Sequence, residues 1–197
     1  MGRPRKHRES TADALLAAAE RIVESDGLDA LTVRRVAEAV GTTTRAVYTA
    51  YGSKDALLVA LGARSFDLLR SELDKQPMTA DPAADLVAAG VEVFRRFAVE
   101  HPALFRIGVQ RTLLQPALVA GFVEPAQAAL AGLRARVARL EAAGLLGDHS
   151  VAEAVWAFHA LCEGLAAIEL RSPGLVDHAP RLWKDALSAL VRGFAAR

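Results

Sequence analysis

Thr42, Thr43, Thr44, Arg45, Tyr48 and Thr49 set hydroxyls, a guanidinium and a phenol within eight consecutive residues. No carboxylate stands between Glu38 and Asp55, although the chain balances 24 Lys and Arg against 23 Asp and Glu. Donors without a competing anion suit phosphate. Hydroxyls and the unbonded amides of a helix N-terminus both donate to phosphate oxygens. A threonine methyl can touch the thymine C5-methyl, and an arginine reaches guanine O6 and N7 or a phosphate. Lys54, at the start of the next helical pattern, is placed to clamp a flanking phosphate. The competing reading is an ordinary solvated helix that happens to lack acids.

A second group with chemical potential is His159, Cys162 and Glu163, within about one helical turn of a single predicted helix. A nucleophile needs a base oriented by another element and an oxyanion site, and neither is identifiable. These residues therefore read as a buried histidine and cysteine, so no catalytic residue and no enzyme is expected. Five scattered histidines and one cysteine offer no zinc-ligand spacing, so neither a metal nor a cofactor is expected. The lone Cys162 excludes an internal disulfide and fits a reducing cytoplasm. No apolar core follows the basic start, as a secretory signal would require. No run of about 18 apolar residues suggests a membrane span. A cytoplasmic protein without membrane contact is expected.

The positioning elements follow from composition and punctuation. Of 197 residues, 52% are apolar and only 6% aromatic, with alanine and leucine abundant, which favours an all-α fold. Ser10 and Asp13 suggest a capping box before a helix ended by Asp26-Gly27. Thr32 caps a second helix, whose inward face is Val33, Val36, Ala37 and Val40. Gly41 follows where a left-handed residue is wanted. A third helix runs from the threonines to Tyr51, stopped by Gly52, and Ser53 caps a fourth. The linker KQPMTADPAAD, residues 75–85, separates these from a second set. There, Asp81-Pro82 opens a helix to about Glu100, and Pro102 begins another through Arg111. The segment 112–124 is ambiguous. Further helices are expected from Pro125 to Ala143, from a Ser150–Glu153 capping box to Arg171, and from Pro180 to Ala195.

Two short helices joined at a glycine make a helix-turn-helix, whose second helix can enter the DNA major groove. The stretch LTVRRVAEAVGTTTRAVYTAYGSKDALL, residues 31–58, is similar to the DNA-binding motif of TetR-type transcriptional regulators. Thr32-Val33-Arg34, Val36-Ala37, Gly41, Ala46-Val47-Tyr48 and Ser53-Lys54-Asp55 before Leu57 carry the resemblance. Ala50-Tyr51 departs from it, since many members have histidine then phenylalanine there. The resemblance implies DNA contacts from Thr32, Arg34, Thr44, Arg45, Tyr48, Thr49 and Lys54. The chain then divides into a basic arm (1–9), a DNA-binding domain (10–56) with helix 53–75 as connector, and a C-terminal domain (76–197). The arm holds Arg3 and Arg5, which suit a minor groove, although such arms also serve as solubilising tails.

In the C-terminal domain, Ala157, Ala160, Gly164 and Ala167 form a small-residue strip on one predicted helix. The last helix offers Leu182, Ala186, Ala189, Leu190 and Gly193. Paired across a two-fold axis, the two helices make a four-helix dimer interface; alternatively they pack only within the monomer. Phe94, Phe97, Phe105, Phe122 and Trp156, with Gln110, His159 and Glu163, would suit a pocket for a small apolar effector, though an ordinary core has the same composition. The resemblance implies a homodimer and an effector. The expected function is a ligand-responsive repressor on a palindromic DNA operator, the alternatives being an activator or a ligand-free architectural DNA-binding protein.

Overall fold

Every regular element among the described residues is helical, as the alanine and leucine content dictates. The structure is a computed structural model and describes residues 4–110, 121, 123–172 and 178–195, with side chains from Thr11 onward. Ten α-helices are described: α1 (Pro4–Asp26), α2 (Val33–Val40), α3 (Thr44–Tyr51), α4 (Lys54–Lys75), α5 (Pro82–Ala88), α6 (Arg96–Glu100), α7 (Pro102–Leu104), α8 (Val123–Ala142), α9 (Val151–Arg171) and α10 (Ala179–Ala195). Between them lie a short 3₁₀ turn, Leu28–Ala30, and two π-helical stretches, Ala89–Arg95 and Phe105–Val109.

The chain forms two compact units, Met1–Ser65 with His101–Val123, and Phe66–Glu100 with Glu124–Arg197. The first gathers Leu15, Ala19, Ile22 and Val23 of α1 with Leu31, Val36, Ala37, Val47, Leu57 and Leu61. It also takes in the 101–110 segment, which the sequence reading grouped with the C-terminal domain. The Glu24 carboxylate accepts hydrogen bonds from the Ala103 and Leu104 amides at 2.9 and 3.0 Å, satisfying two donors of that helix start. Gly108 lies so close to α4 that a Cβ there would fall 1.8 Å from Ser65 Oγ. Only a residue without a side chain permits that approach.

The second unit buries Leu86, Val93, Phe97, Val137, Leu140, Phe158, Cys162, Trp183, Leu187 and Val191. Its buried polar side chains each find partners on another element, although Arg136 Nε is left without one among the described residues. Arg136, only 2% exposed, donates to the Leu73 and Gln76 carbonyls at 2.7 and 3.0 Å. Leu73 lies in the last turn of α4 and Gln76 just past its end, where the helix dipole favours a cation. Arg139 donates to Asp85 at 2.5 Å, and Asp85 also accepts from the Thr79 amide and hydroxyl. Arg139 and then Thr79 hold the Asp85 carboxyl below the usual carboxylate range, against the opposing effect of burial. Glu169 receives Arg95 Nη2 at 2.8 Å and Trp183 Nε1 at 2.8 Å.

Three expectations need correction. Helix α1 starts at Pro4, so residues 4–9, expected as an arm, are helical. Proline suits a first turn, and nothing before Ser10 breaks the helix; Ser10 therefore does not begin it. Arg3 lies outside the described residues. The helix expected from Asp81 to Glu100 is α-helical only at its ends, and the one from Pro102 turns π-helical at Phe105. Finally, α9 is by length and composition apolar enough to cross a bilayer. Its Glu169 is instead paired with Arg95 and Trp183, and its inner face packs in the second unit's core.

Candidate nucleic-acid interface

The helix pair α2–α3 is fixed by its caps. Thr32 Oγ1 accepts from the Arg35 amide at 3.1 Å and so starts α2. Gly41 takes φ 69° in the left-handed region, which turns the chain at no steric cost. Thr43 Oγ1 accepts from the Ala46 amide at 3.3 Å and starts α3. Gly52, at φ 78°, ends α3, and Ser53 Oγ then caps α4 by accepting from the Ala56 amide at 3.0 Å. On the inner side Val36, Ala37 and Val47 are buried. Tyr51 Oη donates to the Ala12 carbonyl at 2.7 Å and ties α3 to α1. Burial first, then the nearby Asp13 charge, raises the Tyr51 phenol above its ordinary value. That bond shows what Tyr51 does at the position where the resemblance departs.

The outer face of α3 carries Thr44, Arg45, Tyr48 and Thr49, all exposed, with Tyr48 53% accessible. Their spacing covers an arc of about 140° at 100° per residue. Thr49 is not a free hydroxyl, because Oγ1 donates to the Arg45 carbonyl at 2.8 Å. Its methyl and its oxygen lone pair remain for a ligand. Thr43 is exposed and Thr42 half-buried at the N-terminus of α3, where the first-turn amides lack helical acceptors. Thr32, Arg34 and Lys54 are exposed on the neighbouring helix starts. The outer face of α3 bears Arg45 and no acid, so it can approach phosphates without like-charge repulsion.

Sequence reasoning overlooked Glu38. Arg34 Nε donates to Glu38 Oε1 at 2.7 Å, and both side chains are well exposed. The hydrogen bond and charge of Glu38 raise the Arg34 guanidinium above its ordinary value. Arg34 must leave that partner to reach a phosphate. The i,i+4 spacing was a readable signal. Arg35 is likewise engaged, with Asp26.

Of the residues expected to form a pocket, Phe94 meets His159 edge-on at 5.8 Å, and Trp156 meets His159 at 5.9 Å. His159 Nε2 lies 3.7 Å from Glu163. Phe97 is buried core of the second unit, while Phe105 and Gln110 belong to the first; Phe122 lies outside the described residues. Trp156 is 60% exposed on the outer side of α9, so it does not line an enclosed cavity. Burial pushes the Cys162 thiol far above the ordinary range, which removes the thiolate that nucleophilic chemistry needs. On the same outer side of α9, Ala160 and Gly164 are exposed, and Ala157 and Ala167 half-buried. On α10, Leu182, Ala189 and Gly193 are exposed, with Ala186 and Leu190 half-buried. A Cβ built on Gly164 or Gly193 would meet nothing within 4 Å.

Residues 15–61 match the family model described as bacterial regulatory proteins of the tetR family, and residues 87–194 match the tetracyclin repressor-like C-terminal domain. Among solved structures, a protein of unknown function from Rhodococcus sp. RHA1 is similar at TM-score 0.81 and 25% identity, over 98% of this chain and 100% of that one. A transcriptional regulator from the same source has TM-score 0.72 and 23% identity, over 93% and 95%. The TetR family transcriptional regulator PfmR from Thermus thermophilus has TM-score 0.65 and 21% identity, over 91% and 94%. No protein of the curated set matches significantly.

Proposed function

The chain belongs to the TetR family of DNA-binding transcriptional regulators, and from that premise we propose that it is a cytoplasmic, dimeric, effector-responsive repressor of a palindromic operator. One observation carries the reading: the exposed face of α3 offers Thr44, Arg45, Tyr48 and Thr49 with no carboxylate among them. In the proposed complex that face lies in the major groove. Arg45 and Tyr48 reach base edges, Thr42, Thr43, Thr32 and Lys54 hold phosphates, and the basic start of α1 with Arg3 and Arg5 follows the adjacent backbone.

The outer strip of α9 and α10 supports dimerisation. Ala157, Ala160, Gly164 and Ala167 let a second backbone approach closely, and exposed Trp156, Ile168 and Leu182 supply apolar area around them. Two copies would then read half-sites about one DNA turn, 34–36 Å, apart. An effector in the second unit that prefers a splayed dimer by about 100-fold would shift the equilibrium by roughly 2.7 kcal/mol. Helix α4 starts beside α3 and ends under Arg136 in the second unit, so it is the continuous element such a shift would use.

Selection of bound DNA from a random pool tests the reading. The expected product is a two-fold symmetric site, and footprinting on promoter DNA should place that site over the promoter. An asymmetric single site excludes the dimeric palindrome, a site upstream of the promoter points to activation, and no enrichment points to an architectural role.

A further inference from the structure

We propose that the groove between α5 and α10 is a binding site for a linear carboxylate with an apolar tail. It lies within the second unit, offers about 490 Å³ on a side open to solvent, and shares no residue with the effector pocket expected from sequence. One wall is apolar and shallow-sided, made of Ala84, Val87, Ala88 and Val91 and their neighbours. The other is a polar rail on α10, Lys184, Ser188 and Arg192, one residue per turn. The rail spans about 12 Å at 1.5 Å per residue. A long apolar chain can therefore lie along the groove while its head meets a cation.

The charges favour an anionic head. Among the described residues Lys184 and Arg192 make no ion pair, whereas their helix neighbours Arg181 and Asp185 satisfy each other at 3.6 Å. Of the described residues lining the groove, Glu92 alone is acidic, leaving two cations against one anion. A bound carboxylate would pair its own charge with either cation through charge-assisted hydrogen bonds, with Ser188 a further donor. An alcohol brings no charge to pair, and an ammonium would meet repulsion. Around α10 the rail is centred about 130° from the strip of Leu182, Ala186, Ala189 and Gly193, with Arg181 and Asp185 between them on that side.

Calorimetric titration of the full chain with decanoate, decanol and decylamine tests the site. Decanoate should bind at least ten-fold tighter than the other two. K184Q/R192Q should erase that preference, while decanol binding stays unchanged. The groove-filling substitution Ala84→Trp, at an exposed position, should weaken decanoate at least ten-fold, with thermal melting confirming that both variants fold. Equal affinity for decanoate and decanol in the wild type overturns the proposal, as does decanoate binding unaffected by either variant. None of these readouts involves DNA, so failure here leaves the operator reading standing, and failure there leaves this one.

Discussion

Glu38 is the partner that a DNA phosphate would have to displace from Arg34. The two are paired at 2.7 Å on an exposed helix face, so a phosphate must displace the carboxylate before it gains the guanidinium. In E38Q the charge competition disappears. Affinity for random duplex should rise, and the log–log salt slope should steepen by about one unit for the added phosphate contact. Fluorescence anisotropy across a salt series reads both, and an unchanged slope would show that Arg34 never reaches DNA. Thr43 is a different kind of residue, since its oxygen starts α3. Thr43→Ala should cost about 1 kcal/mol of stability in urea unfolding, the usual worth of an N-cap. Tyr51→Phe deletes the bond to Ala12 and should cost about 0.5–1.5 kcal/mol, without altering the outer face of α3.

Among elements, the sharpest constraint is Gly108 against α4. A Cβ at 1.8 Å from Ser65 Oγ and 2.9 Å from Ser65 Cβ cannot be accommodated by rotating one hydroxyl. Gly108→Ala should destabilise by about 1–3 kcal/mol, and adding Ser65→Gly should recover much of the loss in chemical denaturation; no recovery would mean that another neighbour sets the limit. Asp85 makes a pH prediction. Its folded-state pKa is depressed by Arg139 and Thr79, so its contribution is present above the ordinary carboxylate range and is lost as pH falls from there through the lowered folded-state pKa. Thermal melts of D85N against wild type should converge on acidification, and a constant gap would deny Asp85 that role. The α2–α3–α4 elements were legible in the sequence because their signals are local. Thr32, Gly41, Thr43, Gly52 and Ser53 each act on backbone within four residues. The π-helical stretches were not legible, since Gly90 and Gly108 answer to Leu187 and Ser65, which are distant in sequence. The same holds for Glu24, whose amide partners lie 79 and 80 residues away. Aromatic residues at helical spacing specify a buried face, not which helix that face meets.

At the scale of the whole molecule, the proposed function uses two faces together, one on α3 and one on α9 and α10. Gly164→Trp places bulk where the single chain leaves open space, so the fold should survive while the proposed dimer does not. Sedimentation should then show a monomer with unchanged helicity, and a persistent dimer would move the interface elsewhere. The face of α3 bears the heavier claim, that DNA is gripped by donors presented without any competing anion. The direct measurement is the affinity of the R45A/Y48A chain for its selected operator, after circular dichroism and sedimentation show it folded and paired. At about 1–3 kcal/mol for each lost base contact, binding should weaken at least ten-fold, while affinity for random duplex falls less. Undiminished operator binding in that folded, paired variant would contradict the account.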